Sequence, residues 1–274
     1  MGIYFKGDPS YRDETYKVFS SIESNPVGHV IVASIRQSGK DLTFEPYTEG
    51  DCNAVTTGLD PKAGSPKGVG GGADSKAPWF IGRGDIPATR GQDERSDTRK
   101  ERATGGGSDV RIRFSPGTWG TGPQSCFGGN YGSRADEVLL HEMVHASRYM
   151  HGRVNPIPTE DNSLFGYNNE EEFLAVVTAN VYISSKGGTQ LRAHQTGHTA
   201  LNAPFNTSVG FLSDPMNRKI MNIHRLTWTS EFLGLSRVVS AKFNPFRELT
   251  IQLRNFPVGN MFERSLTEAS MPVR

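Results

Sequence analysis

Apolar residues recur at helical spacing from Asp13 to about Ile35: Tyr16, Phe19 and Ile22, then Val30, Ile31 and Ile35 beyond a break at Asn25-Pro26. Leu42, Phe44 and Tyr47 lie among polar residues as a strand would place them. The chain is thus expected to open with two short helices and a strand. From about Gly58 to Gly107 the pattern lapses into Gly, Pro, Ser, Asp and Arg, with only Trp79-Phe80-Ile81 reading as a short strand. So little apolar surface cannot offset the entropy of ordering. The stretch reads as a flexible excursion from a single domain spanning 1–274, and long excursions of this kind often serve as lids. Val110, Ile112 and Phe114 then alternate with Arg111 and Arg113, giving an edge strand with one apolar and one basic face.

Beyond a second Gly-rich loop, from Pro116 to Gly132, helices dominate. Ser133 and Asp136 have the spacing of a capping box, Val138-Leu139-Leu140 begins an apolar run, and Gly152 followed by Pro156 ends it. Asn168-Asn169 caps a second helix, with Glu170, Glu171 and Glu172 in its first turn, running to Lys186-Gly187. Asp214-Pro215 starts a third, with Ile220, Ile223 and Leu226 on its apolar face.

The first of these helices carries His141-Glu142-Met143-Val144-His145. Residues four apart lie roughly 40° around a helix, so both imidazoles leave one face and reach one ion at about 2.0–2.1 Å. Glu142, one position round, is placed to take a proton from a metal-bound water without ligating the metal, which is the zinc metallopeptidase arrangement. Two unrelated surface histidines would also give the pattern, but unpaired imidazoles on a capped, apolar helix are costly to bury.

A catalytic zinc ion takes three protein ligands and a water. First-turn acids gain about 0.3–1 kcal/mol from the helix dipole, which accounts for two of the three glutamates. Glu172 shares its face with Ala175 and Ala179, small enough for close helix approach, and is the preferred third ligand over Glu171 and Glu170. His151, six residues after His145, competes for the role, yet Arg148 stands where a glycine would have to break the helix. His29, His194, His198 and His224 read as surface histidines.

Composition narrows the field. In 274 residues, 30 basic and 29 acidic side chains leave a formal charge of +1, which argues against a nucleic-acid binder. No apolar run approaches the roughly 20 residues of a membrane span, and the N-terminus carries no apolar signal core. Cys52 and Cys126 are too few for a disulfide framework or a thiolate metal site and form one bridge or none, so a metal here falls to His and carboxylate.

The run from His141 to His145, followed by Asn169-Glu170-Glu171-Glu172-Phe173-Leu174-Ala175, resembles the Glu-zincin peptidases of bacterial toxins. It is most similar to the NleD-like effector peptidases, including those fused to VgrG spikes of type VI secretion. The Glu-Phe-x-Ala segment resembles the lethal-factor catalytic domain, in which the Glu before Phe ligates zinc; this carries over to Glu172. The resemblance implies an α+β, zincin-like fold with a small sheet and a mainly helical C-terminal part. It also implies one zinc ion, a protein or peptide substrate, and delivery by a dedicated secretion apparatus into a target cell, either a bacterial periplasm or a host cytoplasm. The resemblance further implies a secretion spike and an immunity protein as partners. In the lethal-factor pattern a Tyr seven residues before the ligand helps stabilise the oxyanion; Phe165 stands there, and Tyr167 is the substitute or a packing residue. The retained Glu142 favours an enzyme over an inactive zincin-fold interaction module.

Overall fold

The computed structural model describes residues 2–49, 52–60, 105–120, 125–154, 167, 169–194 and 198–255. The expected lid-like excursion, with its Trp79-Phe80-Ile81 strand, falls mostly outside them, as do Pro156 and Phe165.

The architecture is α+β: a four-stranded sheet and a larger set of helices. Strand β1 (Ile3–Phe5) precedes helix α1 (Pro9–Ser24), which starts a turn earlier than the pattern suggested. Pro9 is tolerated at the first helical position, and the Asp8 carboxylate caps the helix by accepting from the Tyr11 N–H at 2.8 Å. Asn25 ends α1 and caps α2 (Pro26–Gln37), accepting from the Val27 N–H at 2.9 Å, so the break at Asn25-Pro26 is where it was expected. Tyr11, Phe19 and Ile22 of α1 and Val27, Ile31 and Ile35 of α2 are buried.

Strand β2 (Leu42–Glu45) pairs in parallel with β1, and Phe5 stacks on Phe44 at 5.0 Å. Strands β3 (Val55–Gly58) and β4 (Val110–Arg113) complete the order β1-β2-β4-β3. This corrects one expectation. β4 is interior, parallel to β2 and antiparallel to β3, and the outer strand beside it is β3. The basic face of β4 is also engaged, since Arg111 pairs with Glu45 at 3.2 Å and Arg113 with Glu49.

Helix α3 (Ala135–Met150) packs on β3 and β4, and α4 (Glu170–Ser185) packs on α3. Buried from Glu171 to Ser184, α4 is the central helix, covered on its far side by the C-terminal helices. These are α5 (Ser208–Ser213), α6 (Pro215–Thr227), α7 (Thr229–Ser236) and α8 (Pro245–Asn255). Asp214 caps α6 as expected. Its inner face runs through Ile220, Met221 and His224, whereas Leu226 is 70% exposed: a three-residue step drifts off a 3.6-residue helix. The buried apolar residues form one continuous core from Phe19 to Leu249.

Candidate active site

Helix α3 begins one residue later than the capping-box spacing implied. Arg134 is the N-cap, and its N–H donates to Glu137 at 3.3 Å; Ser133 is buried. Asp136 instead accepts from the Tyr182 hydroxyl at 2.8 Å and Lys186 at 2.6 Å, tying the start of α3 to the end of α4. At the other end His151 is the C-cap and Gly152 turns left-handed (φ 62°), so that the Arg153 N–H donates to the Arg148 carbonyl at 2.9 Å.

On the inner face of α3, Nε2 of His141 and Nε2 of His145 lie 3.1 Å apart. Glu172, one turn into α4, brings Oε2 to 3.2 Å from His141 and Oε1 to 3.5 Å from His145. All three side chains are buried, with a donor atom from each within 4.8 Å of the others. Burial lowers the His141 pKa to about 3, and it opposes ionisation of Glu172. The facing imidazoles overcome that opposition and hold the Glu172 carboxyl well below its usual range. Burial works likewise against His145, but the carboxylates of Glu172, Glu142 and Glu171 raise its pKa. Two imidazole nitrogens and a carboxylate thus converge on one point where a single shared proton cannot satisfy them all. The donor set suits a divalent cation of the zinc kind.

The α4 helix sorts its three glutamates by geometry. Asn169 accepts from the Glu172 N–H at 2.9 Å and fixes the first turn. Glu171 is committed to Arg148, whose Nε donates to it at 2.5 Å across a fully buried contact. The Glu170 carbonyl accepts from His224 Nε2 at 3.2 Å. Glu172 is the glutamate that the described residues bring up to the histidines. His151 turns away, its Nε2 lying 3.0 Å from the Ser34 carbonyl and 3.2 Å from the Ser34 hydroxyl.

Glu142 is wholly buried. Thr56 of β3 donates its hydroxyl to Oε2 at 2.6 Å, while Oε1 takes no hydrogen bond among the described residues. Burial pushes the Glu142 pKa up to about 8, against the pull of His145 and the Thr56 hydrogen bond.

Tyr167 packs edge-on against Phe173, ring centroids 5.1 Å apart. Burial raises its pKa, the charge of Arg192 opposing, so the phenol stays protonated. Arg192 and Thr56 are the residues that sequence reasoning missed. Arg192 is wholly buried; its backbone N–H and carbonyl are both held at 2.8 Å by the Asn180 side chain, and its Nε donates to the His194 carbonyl at 2.7 Å. Its charge acts on His141, Glu142 and Tyr167. A side chain on Gly132, where φ is 81°, would meet Arg192 Cδ at 3.0 Å, so the glycine makes room for it.

Two further histidines read as surface residues are buried. His198 stacks on Phe127 at 4.3 Å, with Nδ1 3.2 Å from the Tyr131 carbonyl. His224 lies behind α4. Neither environment is visible locally, because the aromatic and carbonyl partners come from distant segments. Cys52 and Cys126 form a disulfide that joins the segment leading into β3 to the loop before α3.

The family model for Peptidase M91, described as effector protein, matches residues 1–178. The chain belongs to this family. The matched stretch contains β3, all of α3 and the first half of α4, and with them Thr56, His141, Glu142, His145, Tyr167 and Glu172. Arg192 and helices α5–α8 lie beyond it. No curated protein and no solved structure matches the chain. Membership makes this a peptidase-type effector, which implies a protein substrate and suggests delivery into a target cell. Among the described residues no helix is long and apolar enough to cross a membrane.

Proposed function

We propose that the chain is a zinc-dependent endopeptidase in which His141, His145 and Glu172 hold one zinc ion and Glu142 is the general base. The observation that carries this reading is the buried convergence of two imidazoles and a carboxylate, with a second carboxylate on the next position of the same helix. Bound there, zinc would supply a +2 charge that polarises the scissile carbonyl, makes water acidic and draws Glu142 toward its ionised form. Glu142 Oε1 accepts a proton from the attacking water and passes it to the departing amine. Water oxygen joins the carbonyl carbon, the C–N bond breaks, the water's second proton follows to the amine, and a carboxylate and an ammonium group leave. Tyr167, kept protonated by burial, is the proposed donor to the developing oxyanion.

An extended peptide is assigned to β3, the outer strand that packs on α3, by strand addition. Arg111 and Arg113 of the neighbouring β4 are already paired, so they give no reason for an acidic preference near the cut. Residues 1–274 act as one catalytic domain in this reading, supported by the core shared between the matched stretch and the C-terminal helices. The closer likeness to NleD-like and VgrG-linked effectors and to the lethal-factor domain belongs to the proposal, as do a spike and an immunity partner. Of the two compartments, the Cys52–Cys126 bridge favours the periplasm, since disulfides persist where the surroundings are oxidising.

Expression of the wild type and of Glu142→Gln in a target cell, with new protein N-termini counted by labelling, tests this. Cleavages present in the wild type and reduced about 10²–10⁴-fold in the variant are expected. A variant that harms the cell as much as the wild type, with no new N-termini from either, would support the inactive interaction module instead; undiminished cleavage by the variant would remove Glu142 as the base.

A further inference from the structure

Sequence position gives no reason to connect Thr56 with Glu142, 86 residues away, yet the two make a short buried contact. Thr56 sits in β3 opposite Ile112 of β4 and is fully enclosed. Its Oγ1 lies 2.6 Å from Glu142 Oε2 and 3.0 Å from the Glu142 carbonyl oxygen. A hydroxyl has one proton to donate, and the carboxylate is the stronger acceptor. The strand is held close to the helix along its length. At Gly58 a Cβ would meet the Tyr149 ring at 2.7 Å, so a side chain there would push β3 away from α3. Glycine at 58 and threonine at 56 therefore work together, the first permitting the close approach and the second using it.

We propose that Thr56 is a positioning residue for Glu142: by engaging Oε2 it fixes the carboxylate and leaves Oε1 as the atom that carries the proton. This rests on the reading of Glu142 as the general base. It gives the outer strand a second task besides pairing with a peptide, because whatever is laid along β3 is registered through Thr56 against the base.

The probe is acetohydroxamate titrated into cobalt-loaded protein and followed by the visible band of the metal. A hydroxamate chelates the ion and shares its proton with a neighbouring carboxylate, so its affinity reads the placement of Glu142 without a known substrate. Wild type, Thr56→Val, Thr56→Ser and Glu142→Gln are all expected to take up one cobalt with similar affinity. Thr56→Val and Glu142→Gln should bind the hydroxamate about tenfold or more weakly, the scale of one hydrogen bond to a charged group, and Thr56→Ser should stay close to wild type. Thr56→Ala, which also lacks the donor, stands in should the valine variant not fold, with the same weakening expected. A valine or alanine variant that binds like wild type while Glu142→Gln is weakened would overturn the role of Thr56 alone. A wild type that takes up no cobalt, or a Glu142→Gln variant indistinguishable from it, would overturn the reading of Glu142 and this assignment with it.

Discussion

Helix α3 and helix α4 contribute to the proposed metal group on unequal terms. Helix α3 supplies His141 and His145 by its own periodicity: once the helix forms, the two imidazoles face the same way. Helix α4 supplies one carboxylate: its periodicity puts Glu172 on the face of Ala175 and Ala179, but that face has to be held against α3. The hold comes from contacts around the first turn, from the Asn169 cap, from Arg148 engaging Glu171, and from His224 donating to the Glu170 carbonyl. A ligand pair on one helix is a local property, whereas the third ligand is a property of how two helices are clamped. Damage to the clamps should thus be felt mostly at Glu172.

The largest effect should follow from removing that ligand. Glu172→Ala is expected to lower zinc affinity by far more than the roughly 10–100-fold typical of outer-shell changes, with His151→Ala near wild type, as measured by chelator competition. Retention of zinc by Glu172→Ala and its loss from His151→Ala would reverse the assignment of the third ligand.

Next comes the clamp. Arg148→Met removes the guanidinium that faces the buried Glu171 carboxylate and should destabilise the fold by about 3–5 kcal/mol in chemical denaturation. Replacing both, as Arg148→Met with Glu171→Leu, should recover much of that loss. A single variant as stable as the wild type would mean the pair does not hold the helices together.

Both helices are also backed by a buried neutral histidine, His198 near the approach to α3 and His224 behind α4. Burial lowers both pKa values, that of His198 to about 2. The unfolded chain takes up protons near pH 6.5, and the folded one does not until far lower. The unfolded state therefore binds more protons in between, and stability is present above about pH 6.5 and lost as pH falls. Metal-free protein should show this in its melting temperature, and His198→Phe should flatten the slope by about one proton, or 1.4 kcal/mol per pH unit. An unchanged slope would place His198 in contact with solvent protons.

The smallest effect is the cap. Asn169→Ala should cost about 1 kcal/mol of stability and weaken zinc binding less than Glu172→Ala does. Equal weakening would make the cap, rather than the helix clamp, the feature that places the ligand.

How much of this was legible in the chain follows the same division. The break at Asn25-Pro26, the caps at Asn169 and Asp214, the Gly152 stop and the His141–His145 face all depend on residues within a few positions of one another, and they stand where the pattern put them. Strands β1 and β3 were missed because neither alternates: Ile3-Tyr4-Phe5 is apolar throughout, and Val55-Thr56-Thr57-Gly58 has one apolar residue, whereas the equally short β2 and β4 alternate. β4 was mistaken for an edge because alternating arginines look the same beside solvent as beside Glu45 and Glu49. Thr56 and Arg192 were invisible for a different reason. A threonine in a strand and an arginine in a polar loop are ordinary in composition, and only the fold brings one to Glu142 and the other into the field of Glu172.

The central claim is that a zinc ion sits between α3 and α4, and X-ray absorption at the zinc edge of the purified, zinc-loaded protein tests it most directly. The expected result is one zinc per chain with two imidazole nitrogens and the remaining ligands oxygen, all at about 2.0–2.2 Å. A spectrum with fewer than two imidazoles, with sulfur, or with six oxygens would contradict it.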